Sequence, residues 1–220
     1  MNLELQMSTK SKQGEMKEKF GKKLLVEGKD DQHVIWALCE KFKVVESFDV
    51  VDCEGIDKLL AQIPVRLKES GLTGLGIIID ADAEINNRWN SLSSMLSAQG
   101  FNIPAELTGD GFITKNEGVV IGVWIMPNNN LNGMLEDFIA FLVPENDKLL
   151  AIAGNTLQNI EHQNLDKYLP VHKSKALIHS WLAWQQDPGT PMGLAITKKY
   201  LTTDVETCKH LINWINNTFN

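Results

Sequence analysis

Residues 77–84 read IIIDADAE, an isoleucine run that ends in two aspartates one residue apart. A short, continuous apolar run of this kind is typical of a strand buried on both faces, as in parallel sheets. An earlier run, LLVEGKDD at residues 24–31, has the same form, because its apolar residues stop at an acid and a glycine. Both stretches therefore predict a buried strand with a carboxylate at its carboxyl end.

Helical patterns separate the predicted strands. Apolar residues recur along them at intervals of three and four, and Asp30 or Asp31 is available as the N-cap of the first helix. The predicted elements are helices over 31–42, 55–69 and 85–99, a second strand over 47–53, and a turn over 71–76 before the isoleucine strand. This alternation predicts an α/β fold with a mostly parallel sheet flanked by helices.

The pattern changes in the second half of the chain. Two apolar runs separated by Lys-Asn-Glu-Gly predict a hairpin, and only helical patterns follow Pro144. The predicted elements are strands over 111–114 and 119–126, a loop over 127–133, and helices over 134–142, 145–160, 174–186 and 204–218. We therefore divide the chain into a polar N-terminal leader (1–21), an α/β domain (22–143) and an all-helical C-terminal extension (144–220).

Composition excludes one class of function. The chain has 220 residues, of which 43% are hydrophobic, enough for a sizeable core, and its formal net charge is −7. A protein that coats nucleic acid with a broad basic surface has the opposite sign of charge. An enzyme whose acidic site binds divalent cations remains compatible with this balance.

Signals for location point to the cytoplasm. No apolar run approaches the roughly 18 to 20 residues that span a bilayer, and the lysine-rich start lacks the apolar region of a secretory signal. The cysteines Cys39, Cys53 and Cys208 are far apart in sequence and form no CxxC pair, which fits a reducing compartment. We expect a cytoplasmic protein that does not enter a membrane.

Acidic residues follow three of the predicted strands. Parallel strands point their carboxyl ends to one edge of the sheet, where ligands of open α/β folds bind. Glu27 and Asp80 end two of these strands, and Asp82 projects to the same side as Asp80 if the extended geometry continues. Glu136 and Asp137 open the helix after the last strand, so we expect them at the same rim.

Carboxylates gathered at one edge repel one another unless a cation lies among them. Oxygen ligands without a nearby histidine or cysteine suit Mg²⁺ or Mn²⁺ better than zinc. Each acid also has a simpler interpretation by itself, since strand-end acids often cap helices and first-turn acids favour the helix dipole. The joint arrangement is what favours a metal site.

The paired motifs resemble a known family. Glu-Gly after the first strand and Asp-x-Asp after the third resemble the Toprim domain, the metal-binding module of topoisomerases, bacterial primases, small ribonucleases and OLD-family nucleases. The segment GVWIMPNNNLNGMLEDF at 122–138 is similar to a stand-alone, OLD-like group of Toprim proteins. The resemblance covers about residues 22–143 and is less specific in the helical tail.

The resemblance implies roles for the acids at the sheet edge. Glu27 would be the catalytic glutamate, acting as a metal ligand or as a general acid/base. Asp80 and Asp82 would be metal ligands. OLD-type enzymes place further acids downstream, which implies Glu136 and Asp137 as additional ligands.

The same resemblance implies a lysine beyond the acids. Within HKSKA at 172–176, Lys175 is the favoured catalytic lysine and Lys173 the alternate, so the C-terminal extension would complete the site. Glu84 is a further candidate, because Ala-Glu follows the Asp-x-Asp in this chain. The other accessory candidates lie beside the motifs: Gly28, Lys29, Asp31 and His172.

These features predict metal-dependent cleavage or transfer at a phosphodiester of nucleic acid, with two Mg²⁺ or Mn²⁺ ions. Nucleic acid, DNA in particular, is the expected partner. Any coupled ATPase would be a separate chain, because the sequence contains no nucleotide-hydrolysis motif. Two other classes stay open: a non-catalytic Mg²⁺-binding Toprim-like module, and a receiver-like signalling switch phosphorylated on Asp80.

Overall fold

A computed structural model describes residues 18–220, so most of the predicted leader (1–21) lies outside the described residues. The fold is α/β, with a mostly parallel sheet flanked by helices and followed by further helices, as the sequence predicts. The elements in chain order are β1 (Lys22–Val26), α1 (Lys29–Phe42), β2 (Asp49–Asp52), α2 (Ile56–Arg66), β3 (Gly74–Asp80), α3 (Ile85–Ala98), β4 (Phe112–Asn116), β5 (Val119–Met126), α4 (Leu135–Leu142), α5 (Lys148–His162), a 3₁₀ turn (Pro170–His172), α6 (Lys173–Ala183), α7 (Met192–Thr197) and α8 (Glu206–Phe219).

The five strands form one sheet in the order β2-β1-β3-β5-β4. β1 pairs in parallel with β2 and with β3, and β3 pairs in parallel with β5. β4 is antiparallel to β5 at the edge, which confirms the predicted hairpin. Four strands therefore end at the same edge of the sheet, where the acids are expected.

Both faces of the sheet are buried, and strand residues alternate between two cores. Leu24, Ile78 and Trp124 belong to the core that contains α1, α4, α6, α7 and α8. Leu25 and Ile77 belong to the core that contains α2 and α3. This period of two explains the consecutive apolar residues of the central strands, such as 24–26 of β1 and 77–79 of β3, since each face needs its own apolar side chains.

The C-terminal helices complete the first of these cores. α8 packs against β3 and β5, α7 packs against α1, and α6 packs against α4 and α5. The prediction that only helices follow Pro144 is confirmed. Within residues 18–220, no helix combines the length and the apolar character needed to cross a bilayer.

The structure corrects several predicted boundaries. β3 begins at Gly74, inside the predicted turn over 71–76, and pairs from that residue with Lys22 and Val120. α1 begins at Lys29 with Gly28 as its N-cap, so neither Asp30 nor Asp31 caps it in that position. The sequence did not predict α7 or the 3₁₀ turn, because neither is long enough to show a periodic pattern.

Candidate functional site

The carboxyl ends of β1 and β3 form a switch point in the sheet. α1 follows β1 and packs on one face, whereas α3 follows β3 and packs on the other. In open α/β sheets, a crevice opens between neighbouring strands whose following helices go to opposite faces, and ligands bind there. Glu27 directly follows β1 and Asp80 is the last residue of β3, so both acids lie at this crevice.

Four carboxylates gather at the switch point, and we call Glu27, Asp31, Asp80 and Glu136 the acidic cluster. Asp31 lies in the first turn of α1 and Glu136 in the first turn of α4. Only 8% of Asp31 and 3% of Glu136 is exposed, which is rare for acidic residues. Four separate segments of the chain thus bring acids to one place.

Backbone N–H groups fix the orientation of three of these carboxylates. Oε1 of Glu27 accepts the N–H of Asp80 at 2.8 Å, and Oδ1 of Asp80 accepts the N–H of Leu135 at 2.9 Å. Oδ2 of Asp31 accepts the N–H of Gly28 at 3.1 Å, which closes a capping box at the start of α1. In Glu27 and Asp80 the second oxygen receives no hydrogen bond from any residue in 18–220.

Burial and mutual repulsion raise the pKa values of the cluster. Burial, followed by the charge of Glu27, raises the pKa of Asp31 to about 7 from its ordinary 3.8. Burial and the charges of Asp31, Glu27 and Glu136 raise the pKa of Asp80 well above 3.8. The pKa of Glu27 is also raised, chiefly by burial, although the N–H of Asp80 and the charge of Arg88 oppose the shift. Ionisation of these carboxyl groups is therefore disfavoured in the metal-free protein, because nearby positive charge compensates them only in part.

Two basic side chains on α6 approach the cluster from one side. Nζ of Lys175 lies 3.5 Å from Oε1 of Glu136, and Nε2 of His179 lies 3.8 Å from the same oxygen. Both side chains are about half exposed, whereas that of Glu136 is almost fully buried. Lys175 thus lies where the sequence expects the downstream lysine, and α6 brings it back to the sheet edge.

Asp82 does not continue the strand geometry that the sequence analysis assumed. Its backbone is left-handed, with φ of 51°, and it forms an isolated bridge with Gly133. Its carboxylate forms an ion pair with Arg88 of α3. The charge of Asp82 still raises the pKa values of Glu27 and Asp80, so it lies at the border of the acidic cluster.

Asp137 forms hydrogen bonds at the start of α4 and with α6. Its Oδ2 accepts the N–H of Met134 at 2.8 Å and closes the capping box of α4. Its Oδ1 accepts the O–H of Ser174, the second residue of α6. Both oxygens are therefore engaged within the protein, which favours a structural role over the ligand role that the resemblance implies.

Five accessory candidates lie outside the acidic cluster. Lys173 turns away to Glu161, where its Nζ lies 2.7 Å from Oε2. Gly28 contributes the backbone N–H that Asp31 accepts. The side chains of the other three are exposed: Lys29 at the start of α1, Glu84 at the N-cap of α3, and His172 at the end of the 3₁₀ turn.

Sequence reasoning missed three residues that contact the acids: Arg88, Ser174 and His179. One signal for His179 was present, because it lies four residues after Lys175 and so shares its helix face. Arg88 and Ser174 carried no such signal. Their contacts with Asp82 and Asp137 arise only when α3 and α6 pack beside the sheet edge.

The donor chemistry of the cluster fits a hard divalent cation. Its ligand atoms are carboxylate oxygens with no cysteine among them, which is what Mg²⁺ and Mn²⁺ prefer. His179, 3.8 Å from Oε1 of Glu136, is a nitrogen donor close to the cluster that the sequence did not predict. In residues 18–220, no group of three or more acidic, cysteine or histidine side chains stands in a metal-ligating arrangement. Glu27, Asp80 and Glu136 would therefore have to draw closer around an ion.

Fold and site together define an open α/β protein with a buried acidic cluster at its switch point. The chain belongs to the family described as protein of unknown function (DUF3226), whose model matches residues 21–220. No curated protein and no solved structure matches the chain. The family model bears neither the Toprim nor the OLD name, so that resemblance stays a prediction.

Proposed function

We propose that this protein is a divalent-metal-dependent enzyme that cleaves or transfers phosphodiester bonds of nucleic acid, with a Toprim-like site of the OLD type. The acidic cluster carries the proposal. Its carboxylates are buried or half-buried and close enough to raise one another's pKa values. Buried like charges are unfavourable unless a cation compensates them, so the cluster supports a function that brings a cation to this edge.

Glu27, Asp80 and Glu136 would hold the Mg²⁺ or Mn²⁺, with Asp31 and Asp82 at the border of the site. Glu27 and Asp80 each have an oxygen that no protein donor in residues 18–220 engages. When bound, such ions activate a water and stabilise the attacking and leaving oxygens of a phosphoryl transfer.

Two side chains of the chain itself suit the chemistry. As the alternative to its ligand role, Glu27 suits general acid/base work, because burial raises the pKa of its carboxyl group in the metal-free protein. The ammonium group of Lys175 lies beside Glu136 and stays half exposed, so it can reach a phosphoryl oxygen and neutralise the charge that develops there.

The same proposal covers the partners and the compartment. Nucleic acid is the substrate. The protein as a whole carries a net charge of −7 and repels phosphate, so the positive charge that binds the phosphates is local, at Lys175 and at the bound cations. A partner protein such as an ATPase belongs to the same proposal. The cytoplasm is the proposed compartment.

The deciding experiment is a nuclease assay on plasmid DNA, single-stranded DNA and RNA with Mg²⁺ or Mn²⁺. Glu27→Gln keeps the shape of the side chain but removes its charge and its capacity to accept a proton. We expect cleavage to fall by about a hundredfold or more. Glu161→Gln is the matched control, since Glu161 pairs with Lys173 away from the acidic cluster.

Other outcomes identify the competing classes. Metal binding without cleavage of any of the three substrates would identify a non-catalytic module. Phosphorylation of Asp80 by a small phosphodonor, again without cleavage, would identify a receiver-like switch. Either result would refute the proposed enzyme.

A further inference from the structure

Arg88 neutralises an acid beside the acidic cluster. One of its Nη atoms donates to Oδ2 of Asp82, and about a quarter of the arginine side chain is exposed. This is the one hydrogen bond that the guanidinium makes with residues 18–220, although a guanidinium offers five N–H donors. Most of its donors thus remain free for another partner.

Two adjacent residues of the loop after β5 hold both partners of this pair in place. Asp82 and Gly133 exchange two backbone hydrogen bonds, each 2.8 Å long. The side-chain oxygen of Asn132 accepts the N–H of Ile85, the first residue of α3, at 2.9 Å. The carboxylate and the first turn of α3 are therefore fixed relative to each other, and Arg88 follows Ile85 by less than one turn.

A cavity of about 250 Å³ opens beside the ion pair, large enough for a phosphate with its sugar. Three of its lining residues, Asn87, Arg88 and Ser91, lie together on α3 and carry hydrogen-bond donors. The side chains of Asn87 and Ser91 make no hydrogen bond within residues 18–220. The cavity is also lined by Asp82 and Glu84. Arg88 compensates the charge of Asp82, but the pairing also engages the guanidinium that would bind an anion.

We propose that Arg88 is a substrate-binding residue. Without metal, Asp82 holds its guanidinium in an ion pair. When a divalent cation binds beside Asp82, that ion pair weakens and Arg88 binds a backbone phosphate in this cavity. The inference rests on the proposed function and names the residue that binds the phosphate next to the scissile one. Asn87 and Ser91 supply the remaining donors to that phosphate.

Arginine is suited to such an exchange of partners. Its planar guanidinium matches carboxylate and phosphate alike with paired hydrogen bonds, so it passes from one to the other without changing protonation. A carboxylate that faces a divalent cation holds an arginine less strongly, because the cation takes over its charge. Affinity for nucleic acid therefore rises when the metal site is filled.

The test begins without metal and without catalysis. Binding of a fluorescent single-stranded DNA oligonucleotide is measured in chelator for four variants: Asp82→Asn, Glu84→Gln, Arg88→Gln, and Asp82→Asn with Arg88→Gln. Asparagine tolerates the left-handed backbone of Asp82 and holds the guanidinium more weakly, because a neutral acceptor lacks the charge assistance. Glu84→Gln is the matched control, since it removes the same charge from the same cavity without releasing Arg88.

We expect Asp82→Asn to tighten binding about tenfold, the effect of one charge-assisted hydrogen bond, and Glu84→Gln to tighten it much less. The gain should disappear in the double variant. Equal gains from Asp82→Asn and Glu84→Gln would mean that charge alone acts, and would overturn the proposal. A gain that survives the loss of Arg88 would overturn it as well.

The outcome is separable from that of the proposed function. An Arg88-dependent gain in a protein that cleaves nothing would leave the phosphate subsite standing while the proposed enzyme falls. Metal-dependent cleavage without that gain would keep the enzyme and refute the role of Arg88.

Discussion

Asp31 links helix capping to the electrostatics of the acidic cluster. Its carboxylate closes the capping box of α1, yet burial and the charge of Glu27 raise its pKa to about 7. The unfolded chain binds that proton with an ordinary pKa of 3.8. The protonation-linked stability is therefore complete below pH 3.8 and is lost as the pH rises through about 7.

Asp31→Asn should remove this dependence in metal-free buffer. Asparagine can still accept the N–H of Gly28, so the capping box persists. Relative to the parent, the free energy of unfolding of the variant should increase from pH 4 to pH 8 by up to about 4 kcal/mol. Chemical denaturation across that range checks this, with the exposed neighbour Asp30→Asn as control. A difference that stays constant with pH would contradict the prediction.

The two lysines of α6 can be separated by substitution. Lys175 lies 3.5 Å from Glu136, whereas Lys173 pairs with Glu161. We expect Lys175→Met to lower the cleavage rate by about a hundredfold, because the charge that stabilises the transition state is lost. Lys173→Met should change it little. Rates measured side by side at saturating Mg²⁺ decide the matter, and the reverse ranking would assign the role to Lys173.

The positions of candidate site residues could be predicted from the sequence where the residue lies at the end of a strand. Glu27 and Asp80 each come after an apolar run, so the sequence places both at the carboxyl edge of a parallel sheet. The structure adds that their strands are neighbours and that Glu27 accepts the N–H of Asp80. Asp82 could not be placed in this way, because its pairing with Gly133 imposes a left-handed backbone. Contacts such as Arg88 with Asp82 depend on how helices pack, and a one-dimensional pattern carries no information about that packing.

Glycines in the sheet let α8 approach it closely. A Cβ atom at Gly122 of β5 would lie 2.6 Å from Oγ1 of Thr218, and one at Gly76 of β3 would lie 2.7 Å from Phe219. Gly74 and Gly76 are typical of a turn in the sequence, which is why the predicted start of β3 was wrong. A glycine inside a strand instead often marks a place where another part of the chain packs against the backbone.

Gly122→Ala should therefore destabilise the protein by about 1 to 3 kcal/mol, because the added methyl group collides with α8. Gly154→Ala in α5 is the opposite control. Its Cβ atom meets only Leu177, at 4.0 Å, so the better helix propensity of alanine should add about 0.5 to 1 kcal/mol. Denaturant unfolding of both variants gives the sign of the change in the free energy of unfolding for each. Tolerance of alanine at position 122 would show that α8 does not pack as described.

The sheet and the C-terminal helices form one continuous core. Strand residues such as Leu24 and Trp124 share it with Trp181 of α6 and Trp214 of α8. The helices also bring Lys175 to the cluster, so the same packing that covers the sheet assembles the site. The sequence predicts that the helical extension completes the site through Lys175, but it does not show that one hydrophobic core unites the extension with the sheet.

Metal binding should be visible in the stability of the whole molecule. The acidic cluster is assembled only in the folded chain, so Mg²⁺ or Mn²⁺ binds the native state and raises the melting temperature by mass action. The gain is about 2.7 kcal/mol at a hundred times the dissociation constant. Asp80→Asn combined with Glu136→Gln should abolish it. The same double variant should melt above the parent in chelator, because the repulsion among the buried carboxylates is relieved.

Asp204→Asn combined with Glu206→Gln is the matched control for this experiment, since it removes the same charge from exposed acids that pair with Lys209. Thermal melts of the parent and both double variants, with chelator and with increasing metal, separate site binding from general screening of a protein whose net charge is −7. An equal metal-dependent rise in all three proteins would contradict the assignment of the acidic cluster as the metal site. A rise in the parent and in the Asp204/Glu206 variant alone would tie the cation to Asp80 and Glu136.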